Sequence, residues 1–509
     1  MNEIFLYEKK VNKDADYNLW MMFPNVTSFA MSSLGYLWLY KLIDEAENIN
    51  TERICTDTKG VKMNPAKVDA IGVSFSFDFD FLGMLEILDK YKIPFKSKDR
   101  ESTAFKKTLI FGGGPVLTAN PEPYEDFFDF ILMGDGDELN KTVLDICKQA
   151  KTEAKSKEEI LKKLSEVEGI YVPTLKNKVK KVCCNIKETV HTPILSENSF
   201  FPKTFIIEVS RGCSNRCGFC IASYLNMPVR FADYDDIIDK INLGLKHTDK
   251  IAFLGALVSS HPKFYDILGY IDNLIENGRK IELGISSIRA DALTPEVIKT
   301  LVKAGQKHIT IAIEAGSERL RKVINKNLTE EQIRNAVKMA RENGLKGIKI
   351  YAIIGLPTET DDDIKEFIRL AKDLKNENKG FGITFSFSTF VPKPHTPFQY
   401  CKREDTENIK KKEDYLKKEF HKLGVGAKFS SAKWDYYQTV LSNGDSSLTD
   451  FLIEAYKLGG KLGAFKTAAK NLNIDTDKFM HGKTDNEFVS TIPDNNYLRK
   501  EYERLINLK

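Results

Sequence analysis

The chain has 509 residues, 42% of them hydrophobic and 11% aromatic, which is enough for about three globular domains. Its 76 basic and 72 acidic side chains leave a net charge of +4, so charge gives no general case for nucleic-acid or membrane binding. Nothing at the N-terminus resembles a signal peptide, no apolar run reaches the roughly 18–20 residues of a membrane span, and eight cysteines are too few for a disulfide scaffold. We therefore expect a cytoplasmic protein.

Residues 1–140 alternate short apolar runs with amphipathic helices. Buried strands are predicted at residues 18–24, 52–57, 69–77, 108–111 and 129–134. Strands that alternate with helices favour a parallel sheet covered on both faces, so we expect a small doubly wound α/β domain. Residues 141–200 are predicted to be a linker with a charged helix and a hairpin around Lys176 and Asn177.

A second and more regular βα series occupies residues 201–400. Its strands are predicted at residues 204–210, 250–255, 280–286, 308–314, 346–354 and 383–389. Six such repeats predict a partial (β/α)6 TIM-like barrel, a fold in which the chemistry gathers at the carboxyl ends of the strands. Beyond Tyr400 the predicted strands stop, and residues 401–509 form a C-terminal helical region.

Three cysteines follow the first predicted barrel strand within the stretch RGCSNRCGFC. Cys213, Cys217 and Cys220 have the spacing C-x3-C-x2-C, which suits an iron–sulfur cluster or zinc. Structural zinc normally has four protein ligands. A [4Fe–4S] cluster held by three cysteines keeps one iron open to a substrate or cofactor. The alternative is a structural site completed by a distant residue such as Cys184 or His191.

The cysteine motif, with the aromatic Phe219 before its last cysteine and its place after the first strand of a six-repeat barrel, resembles the radical S-adenosylmethionine (radical SAM) superfamily. The resemblance implies that the amine and carboxylate of SAM bind the open iron. It also implies that SAM is cleaved to methionine and a 5′-deoxyadenosyl radical, and that a reductase, flavodoxin or ferredoxin supplies the electron.

The same resemblance implies that SAM is bound by residues at the ends of the barrel strands. These residues are Phe219, Gly255, Ala256, Ser287, Arg289, Glu314, Arg319 and Gly355. Glu314 is expected to bind the SAM amine or ribose, Arg319 its carboxylate, and Gly355 to let the adenine approach closely. Taken singly, each has an ordinary explanation, since a glycine after a strand is usually a turn and Glu314 with Arg319 fits a surface pair.

The N-terminal domain resembles the cobalamin-binding domain that precedes the barrel in one class of radical SAM enzymes. In that resemblance Ser74 and the glycines Gly112, Gly113 and Gly114 line the cavity for the nucleotide tail of the cofactor. Residues 1–190 contain no histidine, so this domain offers no imidazole ligand to cobalt. The alternative is a cobalamin-like fold that binds no cofactor and only docks on the barrel.

The resemblance therefore implies cobalamin-dependent transfer of a methyl or related group to an unactivated carbon. A cobalamin-independent radical SAM enzyme, acting in a rearrangement or in RNA or protein modification, is the alternative. A tRNA methylthiotransferase would need three N-terminal cysteines for a second cluster, and the four in this chain are poorly spaced for one: Cys55, Cys147, Cys183 and Cys184. A non-catalytic RNA- or carrier-binding protein ranks last, because the lysine-rich C-terminal helices are typical of a solvated face. The sequence leaves the substrate and the oligomeric state open.

Overall fold

The computed structural model describes residues 3–9, 15–484, 489–490 and 493–508. An N-terminal α/β domain, a partial βα barrel and a C-terminal, mainly helical region follow one another along the chain, as the sequence predicts. Within these residues, no helix combines the length and apolar character that crossing a membrane requires.

The N-terminal domain is built on a six-stranded sheet with the order β3-β2-β4-β5-β6-β7. The first five strands are parallel and β7 is antiparallel to β6. The strands of this part of the chain are β1 (Glu3–Phe5), β2 (Tyr17–Met22), β3 (Ile49–Ile54), β4 (Ala70–Ser74), β5 (Leu109–Gly113), β6 (Phe130–Leu132), β7 (Ile170–Tyr171), β8 (Val179–Lys180) and β9 (Ile194–Ser196). The helices are α1 (Thr27–Ala30), α2 (Leu34–Asp44), α3 (Asp80–Lys90), α4 (Ser97–Arg100), α5 (Pro115–Ala119), α6 (Gly136–Thr152) and α7 (Lys157–Ser165).

Much of the segment from residue 141 to 200 packs on this domain. Helix α6 buries Val143, Leu144 and Cys147, and β7 closes the sheet beside β6. The segment contains so many charged residues that the apolar face of α6 was not evident from the sequence. The predicted hairpin around Lys176 and Asn177 does not form. Strand β7 pairs with β6, whereas β8 pairs with Val489 and Ser490 near the C-terminus.

The barrel contains the six predicted strands. Its strands are β10 (Phe205–Glu208), β11 (Ser210–Arg211), β12 (Arg230–Phe231), β13 (Lys250–Leu254), β14 (Glu282–Ile285), β15 (His308–Glu314), β16 (Gly347–Ile354) and β17 (Gly382–Thr389). Its helices are α8 (Ile221–Tyr224), α9 (Tyr234–Leu245), α10 (Phe264–Glu276), α11 (Pro295–Lys303), α12 (Glu318–Val323), α13 (Glu330–Glu342) and α14 (Asp361–Glu377). The parallel sheets β10-β13-β14 and β15-β16-β17 meet at a bridge between Ile288 and Ile311, and β11 and β12 form a small ribbon.

The C-terminal region adds a seventh barrel strand that the sequence did not predict. Strand β18 (Gly426–Phe429) pairs in parallel with β17, so the prediction that strands stop at Tyr400 was wrong. The strand is four residues long and lacks an apolar run, and its pairing depends on the open edge of β17. The remaining elements are β19 (Val489–Ser490), α15 (Thr406–Leu423), α16 (Ala432–Asn443), α17 (Thr449–Lys457), α18 (Leu462–Asn471) and α19 (Asn495–Ile506).

Helices α16–α18 pack against the N-terminal domain and share a hydrophobic core with it. The carboxylate of Asp78, beyond the end of β4, is buried and accepts hydrogen bonds from Lys393 (3.1 Å), Gln438 (2.9 Å) and Ser442 (2.7 Å). Because these partners belong to the segment after β17 and to α16, one carboxylate joins all three parts of the chain.

Candidate active site at the barrel mouth

The cysteine motif forms a loop between β11 and α8 at the carboxyl end of the first barrel strand. Gly212 has φ +79°, and a Cβ atom there would lie 2.6 Å from the carbonyl oxygen of Asn226, so the entry to the loop requires glycine. Cys213 and Cys217 are buried, and Cys220 is half-buried.

Hydrogen bonds from other elements fix the backbone of this loop. Asn325 and Tyr224 donate to the carbonyl oxygen of Arg216, at 2.9 and 2.8 Å. The Gly218 amide donates to Ile324 (3.0 Å), and the Gly218 carbonyl accepts from the Phe398 amide (3.0 Å). The loop is therefore held between the segment after α12 and the segment after β17.

The three thiols lie in a buried environment with charged side chains nearby. Burial raises the pKa of Cys217 to about 12. The nearby Lys326 ammonium opposes this rise, whereas Cys220, Glu314 and Cys213 add to it. All four side chains therefore lie within electrostatic range of Cys217. In the described parts of the chain, no three His, Cys, Asp or Glu side chains lie close enough to share one metal ion. A cubane cluster takes its three cysteines at three different irons, so its ligands lie farther apart.

The two residues that the sequence offered as a distant fourth ligand are engaged elsewhere. The ring of His191 packs between Trp38 and Phe205, with centroid distances of 5.3 and 5.5 Å. The amide of Cys184 donates to Asp135 (2.9 Å). The ring of His191 is thus occupied by aromatic packing, and the cysteine loop itself contributes three thiols.

Glu314 ends β15 and lies beside the cysteine loop. Its φ of +66° follows a register shift in the ladder between β15 and β16, a conformation that a non-glycine residue keeps only under constraint. The carboxylate accepts a hydrogen bond from the Lys326 ammonium at 3.0 Å, and both side chains are buried. Burial alone would lower the pKa of Lys326, but Glu314 and Cys217 outweigh it and raise that pKa. The Lys326 side chain therefore stays protonated beside this carboxylate.

Arg289 also reaches the cysteine loop. Its guanidinium pairs with Asp291 at 2.8 Å, donates to the Lys326 carbonyl at 3.2 Å, and lies within electrostatic range of Cys213 and Cys217. Ser287 is half-buried, and the next residue, Ile288, forms the bridge between the two barrel sheets. Phe219 packs on the apolar cluster around Phe398 and Leu505.

Arg319 and Gly355 have protein partners in this structure. Arg319 pairs with Asp363 and donates to the Thr358 carbonyl at 2.9 Å. Gly355 has φ +76°, and a Cβ atom there would lie 2.6 Å from Ile409 of α15. The Gly355 amide donates to Glu359 (2.9 Å), a carboxylate that also pairs with Lys412 (2.7 Å).

A cavity of about 540 Å³ lies between the N-terminal domain and the barrel mouth. Leu34 and Trp38 of α2 line one side, and Gly255 and Ala256 line the other. Ser210 also lines it, and its hydroxyl is buried without a hydrogen-bond partner among the described residues. An orphaned buried hydroxyl at a cavity wall is typical of a site that binds a polar ligand.

Charged residues that the sequence did not single out connect the two sides of this cavity. Arg211 pairs with Asp137 (2.7 Å) and with Glu208 (2.9 Å). Arg230 pairs with Asp135 and donates to the Cys184 carbonyl at 2.6 Å. In the sequence, this network is indicated only by the acidic stretch GDGDE at residues 134–138. The arginines that pair with its acids lie about seventy or more positions away along the chain.

The glycines expected to cradle cobalamin differ in what surrounds them. A Cβ atom at Gly112 would lie 2.5 Å from Leu117, and one at Gly114 would lie 2.2 Å from the Phe75 carbonyl, so both positions are filled by the protein itself. Gly113 has more space and pairs with Ser74 across the sheet. Pro115, the residue after Gly114, lines the interdomain cavity, so the turn after β5 borders this cavity although Gly112 and Gly114 themselves pack against protein atoms.

Comparisons with known proteins agree with this site. The family description "Radical SAM superfamily" matches residues 207–371, and "Radical SAM proteins, N-terminal" matches residues 35–173. The chain is 30% identical over 390 residues to the uncharacterized protein MJ0966 of Methanocaldococcus jannaschii, covering 75% of this chain and 80% of that one. It is 26% identical over 228 residues to a tRNA-2-methylthio-N(6)-dimethylallyladenosine synthase of Hydrogenobaculum sp., covering 43% of this chain and about half (49%) of the synthase.

Two solved structures have a similar fold. The cobalamin-dependent S-adenosylmethionine radical enzyme OxsB with aqua-cobalamin bound has a TM-score of 0.59 at 16% identity, over 97% of this chain and 85% of OxsB. The radical S-adenosylmethionine methyltransferase TsrM of Kitasatospora setae has a TM-score of 0.52 at 15% identity, over 73% of this chain and 72% of TsrM. With the three-cysteine loop at the barrel mouth and the similarity to MJ0966 over most of both chains, the protein belongs to the radical SAM superfamily.

Proposed function

We propose that this radical SAM enzyme uses cobalamin to transfer a methyl or related group to an unactivated carbon. The observation that carries the proposal is the interdomain cavity, which is lined by the N-terminal domain on one side and by the loops expected to bind SAM on the other. OxsB and TsrM, the two cobalamin enzymes of similar fold, support it by analogy only.

Cys213, Cys217 and Cys220 would hold the [4Fe–4S] cluster, and Gly255 and Ala256 would border SAM. With the cluster and SAM bound, the site would supply radical chemistry that begins with reductive cleavage of SAM. The task of the chain is to orient SAM and to keep water away from the reactive carbon.

Glu314, Lys326 and Arg289 are the chain's charged groups beside the thiols. Lys326 would meet the SAM carboxylate and Glu314 the amine or ribose, because each provides the complementary charge or hydrogen-bonding atom. Arg319 is directed to Asp363 and Thr358, so binding of the SAM carboxylate by Arg319 requires those contacts to open.

Support for cobalamin rests on the cavity and not on Gly112 or Gly114, which pack against protein atoms. None of the seven histidines of the chain lies in residues 1–190, so the N-terminal domain would bind the cofactor without an imidazole ligand to cobalt. No step of the proposed transfer is assigned to a residue of that domain.

RNA modification is the second candidate, because tRNA methylthiotransferases are among the relatives. The N-terminal cysteines argue against a second cluster of that kind. Cys55 and Cys147 are buried in the core of the N-terminal domain, where burial raises their pKa values to about 11 and about 12. Cys183 and Cys184 lie elsewhere, against Lys181 and Asp135.

The proposed chemistry also needs an electron donor, and we assign that role to a reductase, flavodoxin or ferredoxin. Eight free cysteines fit a reducing compartment such as the cytoplasm.

Anaerobic reconstitution with iron, sulfide and hydroxocobalamin tests the proposal. We expect cobalamin to stay bound through gel filtration, as read from its visible absorbance, and 5′-deoxyadenosine to form with SAM and a reductant. Failure to retain cobalamin would remove the group-transfer proposal and leave a cobalamin-independent radical SAM enzyme.

The cluster assignment is tested by Cys217→Ala. Removing one of three thiolates should reduce bound iron to a small fraction of the wild-type content and abolish 5′-deoxyadenosine formation. Cys147→Ala is the matched control, because Cys147 is equally buried but lies in the core of the N-terminal domain. Full iron content and activity in Cys217→Ala would contradict the assignment.

A further inference from the structure

The inner face of the barrel is not filled by side chains as it is in a closed barrel, where inward residues form packed layers. On β10, β13 and β14 the outward residues Ile207, Phe253 and Leu283 pack on the surrounding helices. The alternate, inward positions are apolar in the middle of the strands, at Ile206, Ala252 and Gly284, and charged at the amino ends, at Lys250 and Glu282. They leave a cavity of about 790 Å³.

This inner cavity and the interdomain cavity meet at Leu254, which lines both of them. Leu254 ends β13 and is 42% exposed although it is a large apolar side chain in the middle of the molecule. Gly255 and Ala256, two residues expected to border SAM, follow it directly. A molecule in the inner cavity would therefore present one end to the proposed reaction site.

The cavity is long as well as apolar. Its wall runs from Leu254 and Ser286 at the carboxyl ends of the strands to Lys250 and Gln306 near the amino ends. The five residues of β13 extend roughly 16 Å at the rise of a β-strand. Ile206, Ala252 and Gly284 offer no side-chain hydrogen bond along this wall. Such a surface favours an elongated apolar molecule.

The far end of the cavity is cationic. Lys250, Arg279, Lys280 and Lys303 line it, against one carboxylate from Glu282. Arg279 and Lys303 are paired with acids on their own side of the barrel. Lys250 donates to the Pro202 carbonyl at 3.5 Å, and among the described residues neither Lys250 nor Lys280 forms an ion pair with a carboxylate, so this end would attract an anion.

We propose that the barrel cavity binds the substrate as an apolar chain with an anionic end group, a carboxylate or a phosphate. The anionic end lies at Lys250 and Lys280, and the other end of the chain reaches Leu254. The proposal rests on the proposed function, because it takes the mouth of the barrel as the place of reaction.

Binding of three twelve-carbon probes to the reconstituted full-length protein tests this. Dodecanoate and dodecyl phosphate supply the two anions, and dodecanol supplies the chain without charge; each is titrated calorimetrically below its solubility or micelle limit. We expect both anions to bind, dodecanol to bind several-fold more weakly, and the heat-capacity change to be negative because apolar surface is buried.

Ala252→Phe fills the cavity and should weaken both anions at least tenfold. Gly269→Phe introduces the same side chain on α10, where it meets open space, and should leave binding unchanged. Lys280→Ala should weaken the anions several-fold but not dodecanol, whereas Lys299→Ala, an exposed lysine of the outer helix α11, should have no effect.

The proposal is overturned if neither anion binds, if Ala252→Phe binds them as tightly as the wild type, or if a tRNA binds in their place. These titrations need neither SAM cleavage nor cobalamin. If the protein forms 5′-deoxyadenosine but binds none of the apolar probes, only this inference is refuted. If it binds the probes but forms no 5′-deoxyadenosine, only the proposed function is refuted.

Discussion

Glu314 and Lys326 form a buried ion pair next to three thiols, and this pair is costly for a protein to keep unless it is used. The left-handed backbone of Glu314 turns its carboxylate towards the loop, and Asn325 and Asn327, on either side of Lys326, also have positive φ. Asparagine adopts this conformation readily, but glutamate rarely does, so the backbone of Glu314 supports a role of the pair in binding the charged end of SAM.

Lys326→Met should weaken SAM binding at least tenfold, because the carboxylate of SAM loses its cation and Glu314 is left without its partner. Lys326→Arg keeps the charge and should retain most of the affinity. The measurement is SAM binding by equilibrium dialysis on reconstituted protein with its iron content determined.

Because breaking a buried ion pair costs about 3–5 kcal/mol of stability, the double variant Glu314→Gln, Lys326→Met serves as the folding control. Wild-type SAM affinity in Lys326→Met would show that the pair is structural only.

Helix α19 is the element that closes the outer side of the cysteine loop. Its Leu505 is fully buried against Phe398, and a Cβ atom at Gly218 would lie 2.9 Å from it. Near the start of the helix, Tyr497 accepts a hydrogen bond from Arg216 of the loop at 2.9 Å. A helix far along the chain thus covers the cysteine loop.

Leu505→Ala removes a buried side chain and should destabilise the packing of α19 on the cysteine loop by about 2–5 kcal/mol, the usual cost of a cavity left by Leu→Ala. The loop should then be more exposed to solvent. We expect the reconstituted cluster to bleach several-fold faster in air, as followed by its visible absorbance. Lys500→Ala on the exposed face of α19 is the control. Equal bleaching rates in the Leu505 and Lys500 variants would mean that α19 does not protect the cluster.

At the scale of the whole molecule, buried polar contacts fix the N-terminal domain over the barrel. Besides the Asp78 network, the Nε2–H of His395 donates to the carbonyl oxygen of Ala119 at 3.0 Å. Because a carbonyl oxygen can only accept a hydrogen bond, Nε2 of His395 carries a proton whether the imidazole is neutral or charged. Burial lowers the pKa of His395 from its ordinary value of 6.5 to about 4, so the folded protein holds it neutral.

This shift predicts how the domain contact depends on pH. Between pH 6.5 and about 4 the unfolded chain binds a proton at His395 that the folded chain does not, so stability falls as the pH falls. The full effect is about 3 kcal/mol. The stability advantage of the wild type over His395→Gln, measured by urea unfolding, should be largest above pH 6.5 and shrink towards pH 4.

The exposed His247→Gln is the control and should show no such trend. A His395 difference that stays constant from pH 7 to pH 4 would contradict the neutral buried state.

The sequence by itself determined the parts of this protein that depend on local pattern. Apolar runs separated by amphipathic helices located all six predicted barrel strands within a few residues, because burial on both faces of a parallel sheet leaves an uninterrupted apolar signature. The three cysteines were recognisable because their ligand spacing is set within one loop. A charged helix was predicted in residues 141–200, but the packing of α6 on the N-terminal domain was missed, and so was the short strand β18, because both depend on surfaces formed by distant parts of the chain.

Only the tertiary structure decided which distant residues meet at the site. Arg211 and Arg230 of the barrel gain their partners Asp137 and Asp135 only because the N-terminal domain packs on the barrel. The inner cavity is likewise a property of the assembled strands, because Ala252 and Gly284 are ordinary strand residues until β10, β13 and β14 pair and turn one face to the inside of the partial barrel. The spacing of residues along the chain is enough to predict a binding loop such as the cysteine loop. A site between two domains forms only when long-range packing brings its residues together.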